Sequence, residues 1–139
     1  MSRIISEEWT PLLEDDKTTG EPAISSPSDA LVVKRIDFKI EEDGAEKIFI
    51  AMNRFAVPEV MVLEGLKPRI AIDIKNVHSW DGQPESQVNG KLIKQIRTHL
   101  YHDTKKLRIV LDLDADGDYS VNPIYYKSDY IYCIEVKPQ

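Results

Sequence analysis

Hydrophobic and polar residues alternate along most of this chain with the period of two that marks β-strands. Over residues 31–40, Val32, Lys34, Ile36, Phe38 and Ile40 alternate with Val33, Arg35, Asp37 and Lys39, which predicts a strand with one dry face. Glu41-Glu42-Asp43-Gly44 reads as a turn, with Asp-Gly supplying a positive-φ position. Residues 48–52 predict a second strand, residues 60–62 a third and, after the breaks at Gly65 and Pro68, residues 69–74 a fourth. Residues 76–89, rich in Ser, Asp, Gly, Gln and Pro, read as a connecting loop carrying Trp80. Strands then follow at 91–100, 107–113, 119–121 and 130–136, with turns at 102–104 and 114–118. Only residues 54–59 could begin a helix, and Pro58 would end it within a turn.

The second run of strands repeats the first. Lys34, Ile36 and Ile40 fall on Lys94, Ile96 and Leu100 at an offset of 60, and Ile48, Ile50 and Met52 on Leu107, Ile109 and Leu111 at 59. Val60 and Val62 fall on Tyr119 and Val121 at 59, and Ile72-Asp73 on Ile134-Glu135 at 62. Drift of so few positions is what changes in turn length produce. Two four-strand units, each with an apolar face, would bury those faces against each other. The expected fold is therefore all-β, a two-sheet β-sandwich built from two similar halves of about four short strands each.

Residues 1–29 differ in texture. They carry Glu7, Glu8, Glu14, Asp15, Asp16 and Glu21, three prolines and a Ser-Ser-Pro-Ser run, a composition that cannot offset its ordering entropy. They read as an acidic Pro/Ser-rich linker or tail ahead of a domain over 30–139, with Trp9, Leu12 and Leu13 as a stray apolar patch. A formal net charge of −6 argues against nucleic acid, which selects a basic face, and mildly against anionic lipid. No stretch approaches the roughly 18 consecutive apolar residues of a membrane span. The first residues lack the apolar run of a signal peptide, as an excised domain would. Cys133 is the single cysteine and lies on an apolar strand, where packing is the usual role.

Candidate chemistry is sparse. Asp112, Asp114, Asp116 and Asp118 alternate around Gly117 like the opening of a calcium loop, but the twelfth position from Asp112, where a bidentate carboxylate belongs, is Pro123. A solvated acidic hairpin turn is the better reading, and calcium at Asp114, Asp116 and Asp118 is not expected. His99 and His102, three apart near a turn, project to opposite faces of a strand, and zinc requires three or four converging ligands. His78, Ser79 and Asp81 hold the letters of a triad without a nucleophile elbow. No cofactor is implied and no catalysis is expected.

Binding residues are better represented. Trp80 with Asn76, Asp81, Gln83 and Gln87 in the loop, and Tyr101, Tyr125 and Tyr126 later, combine flat aromatic faces with planar polar groups. Such sets bind glycans, although tyrosines also favour strands for their own sake. Arg69, Arg97 and Arg108 suit pairing with Asp73 and Asp112 across strands; Arg97 could alternatively meet a ligand carboxylate.

Three motifs lie in order along the chain: Pro68-Arg69-Ile70-Ala71-Ile72-Asp73-Ile74, then Ile96-Arg97-Thr98, then Leu107-Arg108-Ile109-Val110-Leu111-Asp112-Leu113. Together they resemble the AMIN domain, a module found ahead of N-acetylmuramoyl-L-alanine amidases and in type IV pilus secretins. The resemblance covers roughly residues 31–137. It implies a non-catalytic bacterial envelope module that binds peptidoglycan and localises an attached protein in the periplasm. An alternative is a module that docks on envelope proteins of a pilus or secretion machine, with strand addition at a sheet edge as one route. One departure is Thr98-His99-Leu100-Tyr101-His102, bulkier than the small polar residues that usually follow this arginine. The ligand-binding residues expected on these grounds are Trp80, Asn76, Gln83, Arg97, Tyr101, Tyr125 and Tyr126.

Overall fold

The computed structural model describes residues 30–114 and 118–139. The strands, in chain order, are β1 (Leu31–Ile40), β2 (Glu46–Met52), β3 (Glu59–Leu63), β4 (Arg69–Ile74), β5 (Val77–Ser79), β6 (Glu85–Gln87), β7 (Ile93–Tyr101), β8 (Lys106–Leu113), β9 (Tyr119–Tyr126) and β10 (Ile131–Pro138). They form two five-stranded sheets, ordered β5-β1-β2-β10-β9 and β3-β4-β8-β7-β6. The fold is the all-β sandwich that the alternation predicts. Residues 54–59 form no helix; the described residues hold only a 3-10 turn at Lys127–Asp129.

The repeat is present in the topology, but its halves do not each form a sheet. β1 and β2 lie in the first sheet and β3 and β4 in the second, while β7 and β8 lie in the second and β9 and β10 in the first. Exchanging β1, β2, β3 and β4 with β7, β8, β9 and β10 turns the order β1-β2-β10-β9 into β7-β8-β4-β3, which is the other sheet read backwards. The physical reason lies in the connections. A hairpin is the shortest way to pair two strands, so β1–β2 and β7–β8 stay together, and the longer links then cross to the opposite sheet.

The repeat extends to irregularities. The pairing of β1 with β2 shifts between Val33 and Arg35, and that of β7 with β8 between Ile93 and Gln95. Each bulge thus absorbs one lysine, Lys34 or Lys94, at the same repeat position. A bulge inverts the side-chain alternation, which lets Val33 and Ile36, or Ile93 and Ile96, turn towards the same interior.

The core lies between the sheets. β2 and β10 contribute Ile48, Ile50, Met52, Tyr132, Ile134 and Val136, and β4 and β8 contribute Ile70, Ile72, Ile74, Leu107, Ile109 and Leu111. β9 runs to Tyr126, past the expected end at 121, through Pro123. An edge strand can carry a proline, because half of its N–H groups face solvent. The loop at 76–89 also holds two strands too short for periodicity to reveal. β5 adds in parallel to β1, and β6 adds antiparallel to β7, so each repeat gains one edge strand.

Polar side chains pin the lead-ins to β1 and β7. Asn53 accepts from Val32 N at 2.7 Å and donates through Nδ2 to Ala30 O at 2.8 Å. In the other repeat, Glu46 is 1% exposed and accepts from the backbone N–H groups of Lys91, Leu92 and Ile93 at 2.7, 3.0 and 2.7 Å. Three donors on one carboxylate stabilise its buried charge. Gly90 is required beside it, since a Cβ there would collide with the Glu46 carboxylate and the Ile93 carbonyl.

On the outer face of the second sheet, Arg108 Nε and Nη2 donate to Asp73 Oδ1 and Oδ2, both at 2.8 Å, and Lys106 Nζ lies 3.8 Å from Asp73. These hydrogen bonds and charges hold the Asp73 carboxyl below its ordinary 3.8. Because the folded value is the lower one, the stabilisation is complete above the unfolded value and is lost as pH falls through the folded one. Asp73→Asn should therefore flatten the acid limb of a stability-against-pH curve measured by urea unfolding between about pH 5 and pH 2. Parallel wild-type and variant curves would deny Asp73 this role. Glu46→Ala leaves several buried N–H donors unpaired and should lower stability by about 2–4 kcal/mol, read from the urea midpoint at constant m.

Candidate functional site

The site grows from the link between β5 and β6, residues 80–84, laid along the edge of β7. Thr98 of β7 anchors it through three hydrogen bonds. Its N–H donates to Pro84 O at 2.8 Å, its hydroxyl donates to Gln83 O at 3.0 Å, and the same oxygen accepts from Trp80 Nε1 at 3.0 Å. Trp80 packs partly buried against the core while its polar edge is tied to Thr98. Gly82 lies so close to the indole that any Cβ would overlap the ring. Loop and ring therefore form one pre-shaped unit.

Trp80, Gly82 and Thr98 line two adjoining grooves. The first, about 660 Å³, opens at the side of the sandwich between β1 and β7; Lys34, Arg35, Phe38, Asp81, Gln83 and Ser86 contribute to its walls. The second, about 620 Å³, runs on past Pro84 towards His99, Tyr101, His102 and Asp103. The indole is thus a ridge common to two open hollows whose walls mix apolar and hydrogen-bonding groups. Flat saccharide rings bind against such surfaces. The structure brings Trp80, Gln83 and Tyr101 together along this path. The bulky run after Arg97 forms one wall of it: His99 and Tyr101 meet edge to face at 4.4 Å between centroids, and Lys106 Nζ lies 5.4 Å from the Tyr101 ring.

The other expected residues lie elsewhere. Tyr125 is 7% exposed; its ring stacks on Phe55 at 5.2 Å and meets Tyr132 edge-on at 5.6 Å, and its hydroxyl accepts from Ala56 N at 3.0 Å. It is a core residue whose faces are occupied, so it leaves the binding set. The neighbouring Tyr126 is exposed near the far edge of the first sheet. Asn76 takes a left-handed φ of 61° at the link between β4 and β5, a conformation asparagine tolerates well, and lines a separate hollow with Phe55, Ala56 and Val57.

Arg97 stands on the outer face of the second sheet, Nε and Nη2 donating to Asp112 at 2.7 and 2.8 Å. With Arg108–Asp73, this is the cross-strand pairing of motif residues expected from their types; it raises the Arg97 guanidinium above its ordinary value. Arg69 instead donates to Lys67 O at 3.0 Å. The Asp112 carboxylate is thereby occupied, while Asp116 lies outside the described residues. Among the described residues no group of three His, Cys, Asp or Glu is placed to hold a metal ion, and no helix is long and apolar enough to cross a membrane. Cys133 is buried, and burial pushes its thiol up to about 12, where it is unreactive.

Three contributors were not legible in the chain. Thr98 and Gly82 act through a fold contact that brings residues 80–84 to β7, and no local pattern announces it. Lys34 reads as one more polar position of an alternating strand; its place at a bulge and along the first groove follows from strand pairing, which the local pattern does not show. Asn76 and Arg97 suit a ligand by residue type, and the structure places them in a turn and an ion pair.

No curated protein matches the chain. The model of one family, described as the AMIN domain, matches residues 35–138, a span that runs from within β1 to the end of β10 and contains the motif residues, the second groove and the first groove apart from Val32, Val33 and Lys34. AMIN domains are non-catalytic modules of bacterial envelope proteins. With three quarters of its length matched, from 35 to 138, this chain belongs to the AMIN domain family.

Proposed function

We propose that this chain binds peptidoglycan and so localises a protein attached to it in the periplasm, without catalysing a reaction. The observation that carries this reading is the Trp80 ridge, fixed by Thr98 between two adjoining grooves. A glycan strand laid across it would stack one ring on the indole. Neighbouring sugars would reach Gln83 and Asp81 on one side and Tyr101 on the other. A fixed aromatic platform limits the entropy lost on binding, and repeated weak contacts along a polymer raise the overall avidity. Residues 1–29 serve in this reading as a tether beside the domain formed by 30–139.

One feature favours a second reading, docking on another envelope protein. β3 is the outer strand of its sheet, and Met61, Val62 and the following Leu66 are exposed by 49, 37 and 94%. An outer strand with exposed apolar side chains suits strand addition.

Sedimentation with purified sacculi separates the two. Wild type should pellet with the wall, and Trp80→Ala should lower the bound fraction about tenfold, as expected when a central aromatic anchor is removed. Met61→Lys should leave sedimentation unchanged. If Trp80→Ala pellets like wild type while Met61→Lys abolishes capture of an envelope protein, the docking reading replaces the wall-binding one.

A further inference from the structure

The two repeats differ at the bulged lysines, and the difference points to the chemical class of ligand. In the second repeat, Lys94 Nζ donates to Gly90 O at 3.0 Å. The equivalent acceptor in the first repeat, 60 positions earlier, is Ala30 O, and Asn53 Nδ2 already donates to it at 2.8 Å. Lys34 makes no such bond and pairs with no other group among the described residues; it is exposed and lines the first groove. The other charges along that groove are Arg35, whose Nε is held by Asp37 at 2.9 Å, and Asp81. Arg35 is thus partly neutralised, whereas Lys34 is the cation left available to a ligand.

We propose that Lys34 is a specificity residue of the first groove, and that the groove takes an anionic saccharide, a sugar ring with a carboxylate within reach of it. This rests on the wall-binding reading above and adds to it. The ring stacks on Trp80, Asp81 and Gln83 receive its hydroxyl and amide hydrogens, and Lys34 meets the carboxylate. Peptidoglycan offers such a carboxylate in two places: on the lactyl arm of muramic acid where the stem peptide has been removed, and on the stem peptide where it remains. A neutral N-acetylglucosamine polymer has neither carboxylate, so a cation in the groove favours the wall glycan over it. Because Lys34 is exposed, its contribution should fall with ionic strength.

The test is sedimentation of the full 139-residue chain with intact sacculi, with sacculi stripped of stem peptides by an amidase, and with chitin as the neutral control, at low and high salt. Lys34→Gln should weaken binding to a carboxylate-bearing wall about five- to tenfold at low salt, the worth of one partly exposed charge-assisted contact. The same variant should match wild type on chitin and at high salt, and Lys94→Gln should match wild type throughout. Loss on the stripped wall assigns the lactyl carboxylate; loss confined to the intact wall assigns the stem peptide. If Trp80→Ala loses wall binding while Lys34→Gln matches wild type at low salt, the proposal falls and the wall-binding reading stands. If wild type pellets with neither wall preparation, both fall.

Discussion

The inward rows of β2, β4, β8 and β10 are the constraint on which everything else in the fold depends. Ile48, Ile50 and Met52 face inwards from one sheet with Tyr132, Ile134 and Val136, and meet Ile70, Ile72 and Ile74 with Leu107, Ile109 and Leu111 from the other. These are the inner strands of the two sheets, so the least exposed apolar surface is carried by equivalent strands of the two repeats. Burial of apolar area on this scale is the main favourable contribution to folding. In this fold each half places one hairpin in each sheet, so both halves contribute to both inward rows and the interface between the sheets is built by the two repeats together.

Most of that frame was legible in the chain because it is written at period two. The strands of β1, β4, β7 and β8 announce themselves by alternation, and the offsets of 60 for β1 with β7 and 62 for β4 with β10 align equivalent places. The sheet register corrects the other two: Ile48 corresponds to Ile109 and Val60 to Pro123, offsets of 61 and 63 where alternation alone suggested 59, because a shift of two or four positions leaves the inward face unchanged. What periodicity could not convey is what depends on single residues or on the partner strand. β5 and β6 are three residues each, too short to show a period. β9 continues through Pro123 because it lies at an edge, a property of sheet order and not of local sequence. Tyr125 and Tyr126 are adjacent and chemically identical, and the alternation of β9 sends the first into the core and the second to solvent.

The site was legible only in part, for a related reason. Trp80 stands out in any polar loop, and Gln83 beside it suggests hydrogen bonding. Their use depends on Thr98, which lies 18 residues beyond Trp80 and fixes the indole edge with one oxygen. The charged motif residues went the other way. Arg97, Arg108, Asp73 and Asp112 are the residues by which the family is recognised, and in this structure they are occupied with one another across the outer face of one sheet. Charges committed to mutual bidentate pairing specify register between β4, β8 and β7. The strongest sequence signal therefore identifies the frame more than the ligand.

Function in a duplicated sandwich then has to be sought where the copies differ. The apolar rows and the bulges recur in both halves, as scaffold should. The lead-in to β7 is pinned by a buried carboxylate that reaches three N–H groups, and the lead-in to β1 by an amide that serves one N–H and one carbonyl. An amide can donate as well as accept, whereas a carboxylate only accepts. In the repeat pinned by the carboxylate, Lys94 is the side chain that donates to the lead-in carbonyl, at Gly90; in the repeat pinned by the amide, Asn53 donates to the equivalent carbonyl, at Ala30, and Lys34 lines the first groove. The residues between β4 and β7, absent from the repeat, supply the indole itself. Lys34 and Trp80, on which the two copies differ, thus line one groove at the side of the sandwich, while the surfaces the copies share are taken up by the frame.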